Sequence, residues 1–306
     1  MMQQMLLGLG GVVGEPMGNV RFTMCAGGGA RGSSVFLTHN NTRACGGGGA
    51  GGFLDSYGGS GTGNHADLLL LTLTSYTVTI GACATAYATN GSNTSITGTD
   101  INGALSVTTI GGGGGGHGGS SSSSDLDGKD GGSGGGGGSL AGPHNGTGGS
   151  GTSGQGHGGA NGTAAPSYPW YCGESWGASF AQCAGYPGSS KGGGGAGPGS
   201  TGTGWVIAGT GYSGGGRGSA NYITGSNVWR CGGGRAAHGG THDGYDGSGA
   251  GGGGQFPYGK DGILILRYSN AYTISNPGGG LTIATSTHSS DKISQITAGT
   301  GVVEFA

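Results

Sequence analysis

Serine flanked by glycine in the pattern G-x-S-x-G occurs around Ser175 in Gly173–Gly177, and again in Gly211–Gly215 and Gly131–Gly135. That pattern serves a nucleophile only where a strand turns sharply into a helix, and no helix-forming run follows any of these sites. A chain this rich in glycine produces roughly two or three such matches by chance, so no catalytic residue is assigned and no enzyme is expected. Gly197–Gly202 fits G-x-G-x-x-G but runs into TGWVIAG instead of a helix, and no G-K-[ST] phosphate loop exists. His238, His242 and Asp243 have a spacing that gathers metal ligands only on a helix, which the surrounding glycines disfavour. Asp125, Asp127 and Asp130 cluster as in a calcium loop, yet glycine stands at the fourth position and the bidentate Glu is missing, so a polar turn is the competing reading. Neither a metal nor another cofactor is expected.

Six cysteines, Cys25, Cys45, Cys83, Cys172, Cys183 and Cys231, contain no C-x-x-C pair. Buried thiols are expected, with Cys172–Cys183 the best-placed bridge because its loop is short. Asn40, Asn90, Asn93, Asn145 and Asn161 head N-x-[ST] sequons of the kind that frequent Asn, Ser and Thr generate unaided.

A different kind of signal comes from SYPWYCGESWGASFAQCAGYP, which holds Tyr168, Trp170, Tyr171, Trp176, Phe180 and Tyr186 between glycine tracts. Rings on a rigid scaffold give large contact area at low entropic cost, as recognition surfaces do. The competing reading is a local mini-core that stiffens a loop. Tyr212, Tyr222, Trp229, Phe256 and Tyr258 invite the same two readings. The candidate receptor-binding residues are therefore Tyr168, Trp170, Tyr171, Trp176, Tyr186, Tyr222 and Trp229.

The elements that must position these rings are unusual. Of 306 residues, 87 are glycine, only 8% are charged, and the net charge is −2. Collagen is excluded, because no single G-X-Y register persists and there are only 8 prolines. The near-neutral balance gives no reason to expect nucleic-acid binding. The longest purely aliphatic run, Leu68–Leu71, is too short to cross a bilayer, so no membrane insertion is expected. MMQQMLLGLGGVV lacks a basic leader, which argues against a secretory signal. Strands are expected in LLLLTLTSYTVTI, ITGTDINGALSVTTI, DGILILRYSNAYTI and GTGVVEFA. Between them, glycines at three-residue spacing (Gly148, Gly151, Gly154, then Gly156, Gly159, Gly162) suit polyproline II segments bonded to their neighbours. The expected fold class is mostly β with a polyglycine II (polyproline II-like) helical bundle and little or no α-helix. Its parts are an N-terminal attachment segment (1–24), a β-rich and glycine-rich module (25–110), a polyglycine II bundle with aromatic loops (111–262) and C-terminal β-strands (263–306).

SYTVTIGA, NGSNTSI and VTTIGGGGGGHGG, with DGILILRY and GTGVVEFA at the end, resemble the strand, turn and polyglycine succession of glycine-rich domain proteins of phage virions. The wider pattern is similar to polyglycine II-containing tail-fibre adhesins. The resemblance implies a phage virion structural protein, a tail-fibre or receptor-binding adhesin located on the particle surface. Its partners would be a host cell-surface receptor (a glycan or an outer-membrane protein) and other virion proteins. A capsid or other decoration protein is the alternative within that class, and an ice-binding polyglycine II protein the alternative outside it.

Overall fold

A computed structural model describes residues 14–33, 45–58, 63–118, 123–138, 145–162, 215–216, 218–234, 248–252 and 257–306. Its strands are β1 (Arg21–Cys25), β2 (Phe53–Asp55), β3 (Tyr76–Thr79), β4 (Thr94–Asp100), β5 (Gly103–Thr109), β6 (Ser219–Asn221), β7 (Val228–Arg230), β8 (Ile263–Ser269), β9 (Ile274–Ser275), β10 (Leu281–His288) and β11 (Asp291–Phe305). One sheet runs in the order β2-β1-β8-β11-β3-β4-β5, and these seven strands curl into a nearly closed antiparallel barrel. The strands β9 and β10 also pair with β11, while β6 and β7 form a separate hairpin.

Alternation along the strands decides which side chains fill the barrel. In β8, Leu264, Leu266 and Tyr268 enter one core with Phe22, Met24, Tyr76, Val78, Ile96 and Val107. Ile263 and Ile265 point the other way, into a second cluster with Cys25, Phe53, Ile223 and Ile293. Burial on both faces explains why ILIL is an unbroken apolar run. The long β11 serves both halves of the barrel because it changes phase once. Thr282 pairs with Ala298 and Ile283 with Ile296, so Thr297 is left over as a bulge. Beyond it the inward positions switch from even to odd, and Val303 and Phe305 join Ile296 in the same core. There Phe305 meets Tyr268 edge-on at 5.2 Å between ring centroids.

The two edges of the path meet through Gln155. Its carbonyl accepts the Phe53 amide at 3.0 Å, on β2. Its side-chain oxygen accepts the Ile110 amide at 2.9 Å, and its side-chain amide donates to the Thr108 carbonyl at 2.9 Å, on and just past β5. A direct bond from the Gly52 amide to the Ile110 carbonyl, 2.7 Å, lies beside this clasp.

Glycine segments continue the strands beyond one rim, where β1, β3 and β5 end and β2, β4 and β8 begin. Successive peptide groups bond to different neighbours, so that any one pair of segments is joined at every third residue. Gly46, Gly49 and Gly52 donate to the carbonyls of Gly116, Gly113 and Ile110, and Gly113 and Gly116 donate in turn to Ser133 and Gly136. Asparagine side chains complete the pattern: Asn90, Asn93 and Asn161 accept the amides of Gly114, Gly111 and Gly148, each at 2.9 Å.

The expected fold class is therefore corrected. The organising body is not a polyglycine II helical bundle with β flanks but a near-barrel sheet, and the only helix among the described residues is the single turn Ser123–Leu126. The physical reason is that most of the large apolar side chains of residues 17–107 and 264–305 converge on the interior that the barrel encloses, while a smaller cluster packs on its outer face. The resemblance to glycine-rich, polyglycine II virion proteins is overturned by the same finding, and those terms do not describe the fold.

Two outcomes follow from this architecture. A Cβ at Gly28 would overlap the Ala250 carbonyl, whereas one at Gly278 would have nothing within 4 Å. Gly28→Ala is expected to lower stability by about 1–3 kcal/mol in denaturant titration, as overpacking does, and Gly278→Ala to leave it near wild type. Gln155→Ala removes both side-chain bonds of the clasp. It is expected to cost about 1–3 kcal/mol and to speed hydrogen exchange at the Ile110 amide, read by NMR.

Candidate binding site

The β6–β7 hairpin stands on the outer face of β1 and β2, held by a buried polar network. Asn221 donates from its side-chain amide to Thr23 Oγ1 at 2.6 Å and to Asp55 Oδ1 at 2.9 Å. Thr23 Oγ1 donates to the same carboxylate oxygen at 2.7 Å, and Arg230 Nη1 donates to Asn221 Oδ1 at 3.3 Å. Asp55, Asn221 and Arg230 are each almost wholly buried. A carboxylate and a guanidinium so placed are tolerable only when their hydrogen-bonding capacity is met, which fixes the hairpin's orientation.

Beyond Asn221 the chain turns, with the Gly225 amide bonded to the Tyr222 carbonyl at 2.8 Å. Gly225 has φ +88°, and its Cα faces the His288 ring at the β10–β11 turn, where a side chain would collide. Ile223 is fully buried in the second cluster, and the preceding Tyr222 points into solvent, 58% exposed. Trp229, on β7 opposite Ala220, is half-buried. Beneath the hairpin the Cys25 and Cys231 thiols meet, both free and buried. Burial, with the hydrogen bond to Cys25, pushes the Cys231 thiol well above its usual range.

Of the residues singled out in the sequence, Tyr222 and Trp229 are thus brought together on one hairpin. Tyr168, Trp170, Tyr171, Trp176 and Tyr186 lie outside the described residues, as do Ser175, His238, His242, Asp243 and the Cys172–Cys183 pair. Two of the DLDGKDG carboxylates accept from a segment 20 residues further on: Asp127 Oδ1 takes the Thr147 amide at 2.7 Å and Asp130 Oδ1 the Ser150 amide at 2.6 Å. Among the described residues no group of His, Cys, Asp or Glu is arranged to hold a metal ion.

A second aromatic pair was only half legible. Tyr258, recognised as one of the scattered aromatics, lies against Tyr87, which was not, at 5.9 Å between centroids. Both rings are partly exposed, 43% and 42%. Between them runs Arg31, whose amide donates to the Pro257 carbonyl at 2.9 Å and whose carbonyl accepts the Ala88 amide at 2.9 Å. Its guanidinium carbon lies 5.6 Å from the Tyr87 ring centroid. A lone arginine inside AGGGARG was the one signal in the sequence that could have pointed here.

No family model matches this chain, no curated protein matches it, and no solved structure matches it. The functional reading therefore rests on the sequence and on the geometry of the described residues.

Asn221→Ala strips the Asp55 carboxylate and Arg230 of a shared partner. It is expected to lower stability by about 1.5–3 kcal/mol and to raise hydrogen exchange selectively in residues 219–230, measured by mass spectrometry.

Proposed function

We propose that this protein is a non-catalytic binding module, a phage tail-fibre or receptor-binding adhesin that contacts a host cell surface. The observation that carries the reading is Tyr222: a large ring turned to solvent on a hairpin whose base is locked by the Thr23–Asp55–Asn221–Arg230 network. Rings presented this way supply contact area with little entropy left to lose, and such residues dominate binding surfaces. The aromatic-rich segment 164–190, which precedes this hairpin in the chain, carries the other candidate rings. Weak individual contacts suffice where several copies share a particle, since avidity rises by about 10²–10⁴.

The test uses the fluorescently labelled full chain on intact bacterial cells. Binding is expected to saturate, and Tyr222→Ala to weaken it by about 2 kcal/mol, the cost of a hot-spot ring, with the melting temperature unchanged. Adsorption indifferent to Tyr222 and to a Trp170→Ala/Trp176→Ala double substitution overturns the reading. Immunogold labelling of purified virions then tests the tail-fibre setting directly.

A further inference from the structure

We propose that Arg31, Tyr87 and Tyr258 form a binding site for a carboxylate-bearing sugar. Arg31 is only 8% exposed, yet among the described residues no carboxylate pairs with it. Among the described residues its Nε has no acceptor, and its one side-chain hydrogen bond runs from Nη1 to the Cys45 sulfur at 3.7 Å, a weak acceptor. Two other arginines among the described residues are treated differently. Arg267 donates from Nε to Asp291 at 2.7 Å and from Nη1 to the Tyr57 hydroxyl at 2.9 Å. Arg230 donates to Asn221 Oδ1 and to the Val228 carbonyl, each at 3.3 Å. A guanidinium removed from water without an anion is costly, and its planar fork matches a carboxylate in two parallel bonds.

The surroundings specify what bears the carboxylate. Tyr87 covers one side of the guanidinium, and Tyr258 leans on Tyr87 at an interplanar angle of 42°. Two adjoining, half-exposed phenol rings offer apolar faces to the C–H side of a sugar and hydroxyls to its rim. A uronic acid residue combines both features in one ring: a stacking face and a carboxylate at its edge. An acidic peptide offers the carboxylate without the flat face. This site is separate from the Tyr222 hairpin and does not depend on the adhesin reading.

The experiment is isothermal titration of the full chain with tetragalacturonic acid, maltotetraose and hexaglutamate at low ionic strength. Tetragalacturonic acid is expected to bind, with maltotetraose and hexaglutamate each weaker by about tenfold or more. Arg31→Met is expected to abolish binding without lowering the melting temperature, because it removes an unpaired buried charge. Should that variant not fold, Tyr258→Ala, at an exposed ring, decides the matter through an expected loss of about tenfold. Tyr222→Ala is expected to bind tetragalacturonic acid as the wild type does, which separates this site from the proposed cell-contacting hairpin. Absence of wild-type binding, unchanged binding by Tyr258→Ala or by folded Arg31→Met, or hexaglutamate binding as tightly as the sugar acid each overturns the proposal.

Discussion

Backbone approach without side chains is the constraint on which this structure depends. At Gly28, Gly32, Gly46 and Gly116 a carbonyl oxygen of another segment occupies the place a Cβ would need. Segments that close cannot be separated by apolar side chains, so each amide must find its acceptor on a neighbour. The three-residue recurrence of those bonds from Gly46 to Gly52 against Gly116 to Ile110 satisfies this requirement. Glycine carries the largest entropic cost of ordering, and that cost is offset here by bonds spaced evenly over many residues. The barrel gives these segments a fixed origin, since they leave its rim already in register.

Polar side chains at the margins of that layer do what side chains in the core do elsewhere. Gln155 joins the edges of β2 and β5, so neither exposes a free ladder at that rim. Asn221 joins the hairpin to β1 and β2 through Thr23 and Asp55. The arginines divide accordingly. Arg21 and Arg267 flank the Tyr57 ring at 5.3 and 5.2 Å, and Arg267 is also paired with Asp291. Arg31 has the ring contact without the ion pair.

What the sequence made legible follows from how each element is buried. The β4–β5 hairpin was readable in ITGTDINGALSVTTI, and β8 in ILILRY, because one alternates and the other is buried on both faces. The strand β10 and the first half of β11 were missed, since LTIATSTH faces mostly solvent and carries few apolar positions to set a phase. LLLL was read as a strand, but Leu68 and Leu71 make only isolated bridges, to Val20 and Pro16. The glycine count directed attention to a bundle, while the pairing of β1 with β8 across most of the chain left no local trace. On the β6–β7 hairpin, Tyr222 and Trp229 announced themselves as aromatics in a glycine background. Arg31 and Tyr87 did not, because the significance of a buried cation lies in the acceptors it lacks, and spacing cannot reveal those.

The pairing of Arg21–Cys25 with Ile263–Arg267 also governs when this chain can fold. The strand β3 likewise waits for Thr300–Val303, more than 200 residues later in the chain. During synthesis at about 5–20 residues per second, β1 to β5 emerge long before their central partners exist. The β1–β2 pair and the β3–β4–β5 meander can form early, but their inner edges stay open until β8 and β11 have been made. High contact order of this kind places folding in the slow range of small β proteins. Closure of the sheet is thereby deferred until β8 and β11 supply the partners of β1 and β3.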